Sequence, residues 1–239
     1  MMQKILEINK LNVAVNDQAI LKDLSLTINE GELVALMGAN GAGKSTLVRA
    51  LLGDETYQVV SGQITFRKKD LLSLSPEERA KLGLAFVWQQ PPAIKGVELF
   101  TLLNLIQEIH DGDYDYQLAD SLLFRDINVN FSGGEKKIAE LVQVLNQHPR
   151  LLVIDELDSG LDMENLQIVL TALKKELKKS QMALLIITHS GAVLEEIKPD
   201  RIAILRQGEL ICQSRDIKKV LNTIKKYGYQ KCESCQNCL

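Results

Sequence analysis

From Ile5 the chain alternates apolar and polar positions, in the run ILEINKLNVAV, as a half-buried strand does. Further along, the alternation gives way to short unbroken apolar runs. GELVALMG reads as a buried strand entering a glycine-rich turn, with LLVI at 151–154 and ALLII at 183–187 as further buried strands. Amphipathic helical stretches stand between them. STLVRALLG reads as a helix closed by Gly53, and SPEERAKLG as a short helix with Ser75 as N-cap, Pro76 at its first position and an end at Gly83. SGGEKKIAELVQVLNQHP opens with Ser132 and Glu135 in capping-box spacing and puts Ile138, Leu141, Val142 and Leu145 on one face. MENLQIVLTALKKELKKS does the same with Leu166, Val169, Leu170 and Leu173, and RIAILRQGELICQ reads as a hairpin turning at Gln207–Gly208. Strands and helices alternating without an internal repeat predict an α/β fold, a mostly parallel sheet with flanking helices.

Composition narrows the class. The chain has 239 residues, 25% of them charged and 46% hydrophobic, with a formal net charge of -3. That is ordinary globular usage without the basic excess of a nucleic-acid binder, so no nucleic-acid partner is expected. The start lacks the continuous apolar stretch of a signal peptide, and no apolar run approaches the roughly 20 residues that cross a bilayer. The expectation is a cytoplasmic chain with no direct membrane insertion.

The candidate chemistry begins at GANGAGKST, which fits the phosphate-binding loop pattern through Gly38, Gly43, Lys44 and Ser45. The whole turn, Gly38, Ala39, Asn40, Gly41, Ala42, Gly43, Lys44, Ser45 and Thr46, is the expected nucleotide-binding segment. Glycines let consecutive N–H groups converge on phosphate oxygens, and the helix N-terminus adds donors and a dipole. Lys44 is expected to neutralise the β and γ phosphates and Ser45 to ligate Mg²⁺. LLVIDE ends a strand with two adjacent carboxylates, of which Asp155 suits Mg²⁺, held through water, and Glu156 suits polarising an attacking water. His189 ends the next strand at the same sheet edge and is expected to contact the γ-phosphate. FSGGEKK supplies Ser132, Gly133, Gly134 and Glu135 at a second helix N-terminus.

In this order, with DSGLD at 158–162, these motifs make the chain resemble an ABC ATPase nucleotide-binding domain over residues 1–228. The resemblance implies an N-terminal antiparallel β subdomain, a helical subdomain at about 90–150, and two ATPs sandwiched in a head-to-tail homodimer. It implies that Ser132 and Gly134 reach the γ-phosphate across the interface and that Asp162 lies in the D-loop at that same interface. Gln89 in FVWQQPP becomes the Q-loop glutamine that helps to hold Mg²⁺, with Gln90 beside it. Longer stretches, among them QQPPAIKGV, VNFSGGEKK and DELDSGLD, look like the SufC subgroup, the soluble ATPases of iron-sulfur cluster assembly. That implies ATP hydrolysis coupled to shape change in a scaffold of SufB and SufD type. The alternative is the ATP-binding subunit of a membrane transporter, and a third reading is a nucleotide-gated metal carrier.

Three features depart from the family pattern. Val15 stands where many members place an aromatic ring against adenine, and the stretch between Gln89 and Ser132 looks shortened. The third is a cysteine-rich tail at 229–239, with Cys232, Cys235 and Cys238 spaced C-x2-C-x2-C. Such thiolates could bind an Fe-S cluster or zinc, act as a redox switch, or have no role.

Overall fold

The computed structural model describes residues 3–88, 91–109, 117–157 and 161–229. Strand β1 (Lys4–Val15) turns into β2 (Gln18–Asn29) through Asn16 and Asp17, both with positive φ, a conformation that short Asn and Asp side chains tolerate. There follow β3 (Leu33–Met37), α1 (Lys44–Leu52), β4 (Gln58–Phe66), β5 (Lys69–Asp70) and α2 (Pro76–Lys81). Next come β6 (Leu84–Val87), α3 (Leu99–Ile109), α4 (Gly133–Leu145), β7 (Leu151–Asp155) and α5 (Met163–Lys179). The described chain closes with β8 (Ala183–Ile187), α6 (Gly191–Ile197), β9 (Arg201–Arg206), β10 (Glu209–Ser214) and α7 (Ile217–Tyr227).

Two sheets form. β2-β1-β4-β5 is antiparallel; the larger sheet runs β10-β9-β3-β8-β7-β6, parallel except for the β9–β10 hairpin. The larger sheet is covered on both faces, which explains its unbroken apolar runs. On β8, Leu184 and Ile186 join the helix-side core, while Ala183, Leu185 and Ile187 join the core shared with the small sheet and α1. All five are buried, and each large side chain withdrawn from water contributes about 2 kcal/mol.

The helix ends follow their capping residues. Ser75 accepts from Glu78 N, and the Glu78 carboxylate accepts from Ser75 N, starting α2. The P-loop helix α1 ends at Gly53, whose φ of 86 lets its N–H reach back to the last turn. Beneath that end lies Arg79 of α2, buried, donating to the carbonyls of Ala50 and Leu51 at 2.9 and 2.8 Å and to Leu74 O at 3.0 Å. Its charge faces the negative end of the α1 dipole. Burial pulls the Arg79 guanidinium below its ordinary range.

Between β6 and β7, α3, a 3-10 turn at Gln117–Leu122 and α4 carry Leu99, Leu103, Ile106, Ala119 and Leu122 into the helix-side core. α6 and α7 are not among the elements that the sequence predicts. α7 packs through Ile217, Val220, Leu221 and Ile224, an i, i+3, i+4, i+7 stripe.

Candidate nucleotide-binding site

The parallel strands β3, β8, β7 and β6 are neighbours in that order, so their carboxyl ends make one edge. The glycine-rich turn leaves β3 there. Gly38 is buried at its start, Ala39, Asn40 and Gly41 are exposed, and Ala42 and Gly43 are buried as the chain enters α1. A Cβ on Gly38 would come within 2.3 Å of the Leu205 carbonyl oxygen, and one on Gly43 within 2.7 Å of a Leu21 methyl. A Cβ on Gly41 would meet nothing within 4 Å, so the turn is packed at its base and open at its crest. Gly43 is the N-cap of α1 and supplies no side-chain oxygen to the first-turn N–H groups, which have no acidic side chain beside them either. Orphan donors with a positive dipole behind them make an anion site.

Lys44 is buried and donates to Gly38 O at 2.8 Å and Ala39 O at 3.0 Å, which folds its ammonium over the turn. Burial lowers its pKa, while Glu156 and Asp155 oppose that. Ser45 is exposed on the first turn, and Thr46 is buried.

Asp155 ends β7. Burial, and then the adjacent Glu156, pushes its carboxyl up, with Lys44 acting in the opposite direction. Glu156 has a φ of 51 and donates its N–H to Ile187 O at 2.9 Å, so the chain turns off the sheet directly after Asp155. Just beyond β8, His189 brings Nδ1 to 3.8 Å from Glu156 Oε1, with the imidazole mostly exposed. The sequence-predicted Lys44, Asp155, Glu156 and His189 therefore converge.

The second helix N-terminus is α4. Ser132 Oγ accepts from Glu135 N at 3.2 Å, and Glu135 Oε2 accepts from Ser132 N at 2.7 Å, the capping box expected from the spacing. The other Glu135 oxygen takes Arg125 at 2.6 Å, and Arg125 lies over the Phe131 ring at 4.4 Å. The Ser132 N–H, and then Arg125, hold the Glu135 carboxyl below its usual range. Buried Gly134 leaves room for Asn165, which a Cβ would meet at 2.6 Å; Asn165 is in turn bonded to Asp162 at the start of α5.

The family model described as "ABC transporter" matches residues 21–159, more than half of the chain. The chain belongs to the ABC ATPase family. It is 38% identical over 244 residues to the "Probable ATP-dependent transporter SufC" of Escherichia coli (strain K12), covering 94% of this chain and 97% of that protein. Its fold matches the crystal structure of a nucleotide-free ATP-binding cassette from an ABC transporter with a TM-score of 0.79, 21% identity and coverage of 93% and 96%. A dimeric post-hydrolysis state of an ATP-binding cassette bound to ADP and Pi matches with a TM-score of 0.74, 20% identity and coverage of 88% and 98%.

This ABC ATPase is thus an ATP-hydrolysing cassette similar to SufC, and its family implies ATP and Mg²⁺. The donors fit that cation: a hydroxyl at Ser45 and a carboxylate at Asp155 are hard oxygen ligands. Among the described residues, no group of three or more His, Cys, Asp or Glu makes a ready-made metal cage. Mg²⁺ suits such a site, because it takes few protein ligands and completes its shell with water and substrate phosphates. Among the described residues no helix is long and apolar enough to cross a membrane. Val15, at the position where many family members carry an adenine-stacking ring, is half-buried at the end of β1. Gln89 and the tail cysteines Cys232, Cys235 and Cys238 lie outside the described residues.

One cluster at the site escaped sequence reasoning. Lys137 and Glu140, one turn apart on α4, are both buried, with Lys137 Nζ 4.0 Å from Glu140 Oε2. Both reach the backbone of Trp88 just past β6: Glu140 Oε1 accepts from Trp88 N at 2.6 Å, and Lys137 donates to Trp88 O. Desolvation pushes the Glu140 carboxyl up to about 7, against the Trp88 N–H and Lys137. Burial likewise lowers Lys137, which Glu140, Asp155 and Glu156 oppose.

Proposed function

We propose that this ATPase closes as a head-to-tail homodimer around two Mg²⁺-ATP and uses hydrolysis to reshape a SufB/SufD-type scaffold in iron-sulfur cluster assembly. The observation that carries the catalytic half is the convergence of Lys44, Asp155, Glu156 and His189 at one sheet edge. In this reading Lys44 turns from the Gly38 and Ala39 carbonyls to the β and γ phosphates, and the α1 N–H groups and the P-loop backbone from Gly38 to Thr46 take the remaining phosphate oxygens. Ser45, Asp155 and Gln89 hold Mg²⁺, whose chemistry when bound is to offset the charge on the β and γ oxygens. Glu156 orients and polarises the attacking water, and His189 steadies the γ-phosphate from the neighbouring strand.

Ser132, Gly133 and Gly134 of one protomer bring the α4 N-terminus to the γ-phosphate of the other, and Asp162 lies at the same interface. Glu135 brings a carboxylate near that anion. The arrangement tolerates it because both its oxygens are engaged, one by Ser132 N–H and one by the Arg125 cation. Lys44→Ala is expected to abolish ATP binding and turnover, and Glu156→Gln to accumulate an ATP-bound dimer in sedimentation with and without nucleotide. Normal hydrolysis in both variants would overturn the reading.

The scaffold half is supported by the likeness to SufC, at 38% identity over nearly the whole of both chains. An oxygen-free native pull-down of the full chain, with iron, zinc and sulfide assayed in the same sample, tests it. Recovery of a SufB- or SufD-type protein supports cytoplasmic cluster assembly, with the tail cysteines as the place to look for bound Fe-S or zinc. Recovery of a transmembrane protein instead favours the second reading, the ATP-binding component of a transporter, to which the names of the family and of the relative point.

A further inference from the structure

The charges of α7 are placed partly against its own dipole. Its apolar stripe from Ile217 to Ile224 packs on the core, and its exposed positions carry Lys218, Lys219, Lys225 and Lys226. Lys225 and Lys226 stand in the last turn, where cations complement the helix dipole. Lys218 and Lys219 stand in the first turn, with Arg215 just before the Asp216 cap, and there the dipole is already positive. Cations gathered at that end destabilise a helix, and among the described residues no carboxylate forms an ion pair with any of these three. Beside them, between α6 and α7, runs a groove of about 720 Å³. Leu194, Ile217 and Leu221 give it an apolar floor, and the exposed Lys198, Arg215 and Lys218 give it positive charge. Two acidic residues line it among the described residues: Asp216 is engaged as the α7 cap, accepting from Lys219 N at 3.0 Å, which leaves Glu195 against the three cations. The groove lies beside the amino ends of the parallel strands. Asp200, two residues after Lys198, donates its N–H to Leu33 O at the start of β3, and Arg215 follows β10, whose Ser214 pairs with Ile202 at the start of β9.

We propose that the α6–α7 groove docks an acidic amphipathic segment of a partner protein, with apolar side chains on the floor and carboxylates on Lys198, Arg215 and Lys218. Charge complementarity selects the sign of the partner, and the floor selects a segment that carries apolar residues over a purely acidic one. A bilayer fits less well, because an interfacial helix inserts its own apolar face and that of α7 is already packed on the core. Carboxylates held there offset the repulsion between the three cations and the α7 N-terminus, so the bound segment stabilises the helix that receives it. The phosphate loop lies at the opposite, carboxyl edge of the sheet, so the groove fills without blocking ATP. The docking site is separate from the hydrolytic chemistry proposed above and stands without it.

The probe is a fluorescently labelled synthetic peptide of about 14 residues, with leucine at i, i+3, i+4 and i+7 and glutamate between, titrated with the full chain and followed by anisotropy. Binding is expected with a Kd in the tens of micromolar at about 0.05 M salt, weakening severalfold at about 0.3 M. Lys218→Glu should weaken it more than about tenfold while Tm stays at or above the wild-type value, since a carboxylate suits the first turn of a helix. ATP hydrolysis by that variant should stay within about twofold of wild type. Arg215→Glu, which lies outside the helix, carries the same expectation for the peptide. A peptide with glutamine in place of leucine should bind at least about tenfold more weakly. Equal affinity of the two peptides, or of the wild type and Lys218→Glu, overturns the proposal, as does failure of the leucine peptide to bind. Co-sedimentation of the chain with phosphatidylserine vesicles, without peptide binding, also overturns it and assigns the cations to a membrane surface.

Discussion

Glu140 offers a test of which force dominates beneath the site. Its carboxyl is lifted from 4.5 to about 7 chiefly by desolvation, although Lys137 stands 4.0 Å away and should pull it down. A group whose folded pKa is raised favours the fold while protonated. Its contribution is fully present below the unfolded pKa and is lost as pH rises through the folded one. The complete lift corresponds to about 3 kcal/mol. Between about pH 5.5 and about pH 8 rather more than half of that is lost, about 2 kcal/mol. Glu140→Gln keeps the shape and the acceptor for Trp88 N–H but cannot ionise, and the other carboxylates cancel in the comparison. Denaturant unfolding of both proteins at the two pH values, by linear extrapolation, should show the wild type losing about 2 kcal/mol relative to the variant on going to the higher pH. A difference constant within about 0.5 kcal/mol would refute the desolvation argument. A relative gain for the wild type would mean that the ion pair with Lys137 outweighs burial, contrary to the usual balance for buried pairs.

Arg79→Met should cost about 3 kcal/mol, because it leaves the Ala50, Leu51 and Leu74 carbonyls without their cationic donor. For a chain of this size that is roughly 6 to 12 °C in Tm, and a fall under about 2 °C would show that water replaces the guanidinium. Gly38→Ala puts a methyl 2.3 Å from the Leu205 carbonyl oxygen and should weaken nucleotide binding at least about tenfold in calorimetric titration. Gly41→Ala has open space around it and only its φ of 77 to strain, so it should cost about 1 kcal/mol in unfolding experiments. Ser132→Ala removes the acceptor for Glu135 N and should lower helix stability by about 1 kcal/mol. If Ser132 also reaches phosphate in a closed dimer, ATP turnover should fall more than about tenfold, well beyond what that stability loss explains.

What could be read from the sequence and what could not divide along a physical line. The glycine-rich turn, the Asp155–Glu156 strand end and the Ser132–Glu135 capping box were legible because each depends on backbone geometry that only neighbouring residues can supply. A turn that gathers N–H groups needs its glycines within a few positions, and an N-cap needs its partner three residues on. The buried strands were legible for a related reason: a sheet covered on both faces leaves no position for a polar residue, and β8 has five apolar positions in a row. Lys137 and Glu140, by contrast, carry no local sign of their pairing, because their partner Trp88 is 49 and 52 positions away. Arg79 shows no local sign of its role in SPEERAKLG, because the carbonyls of Ala50 and Leu51 that it takes under α1 lie 29 and 28 positions upstream. α7 is the exception that supports the rule. Its stripe of Ile217, Val220, Leu221 and Ile224 was there to be read, but nothing in it told a helix packed on the sheet from one facing a partner. Local chemistry sets which parts can bind phosphate. The contacts that join those parts belong to tertiary structure and leave their trace in the sequence only as charges without an evident purpose.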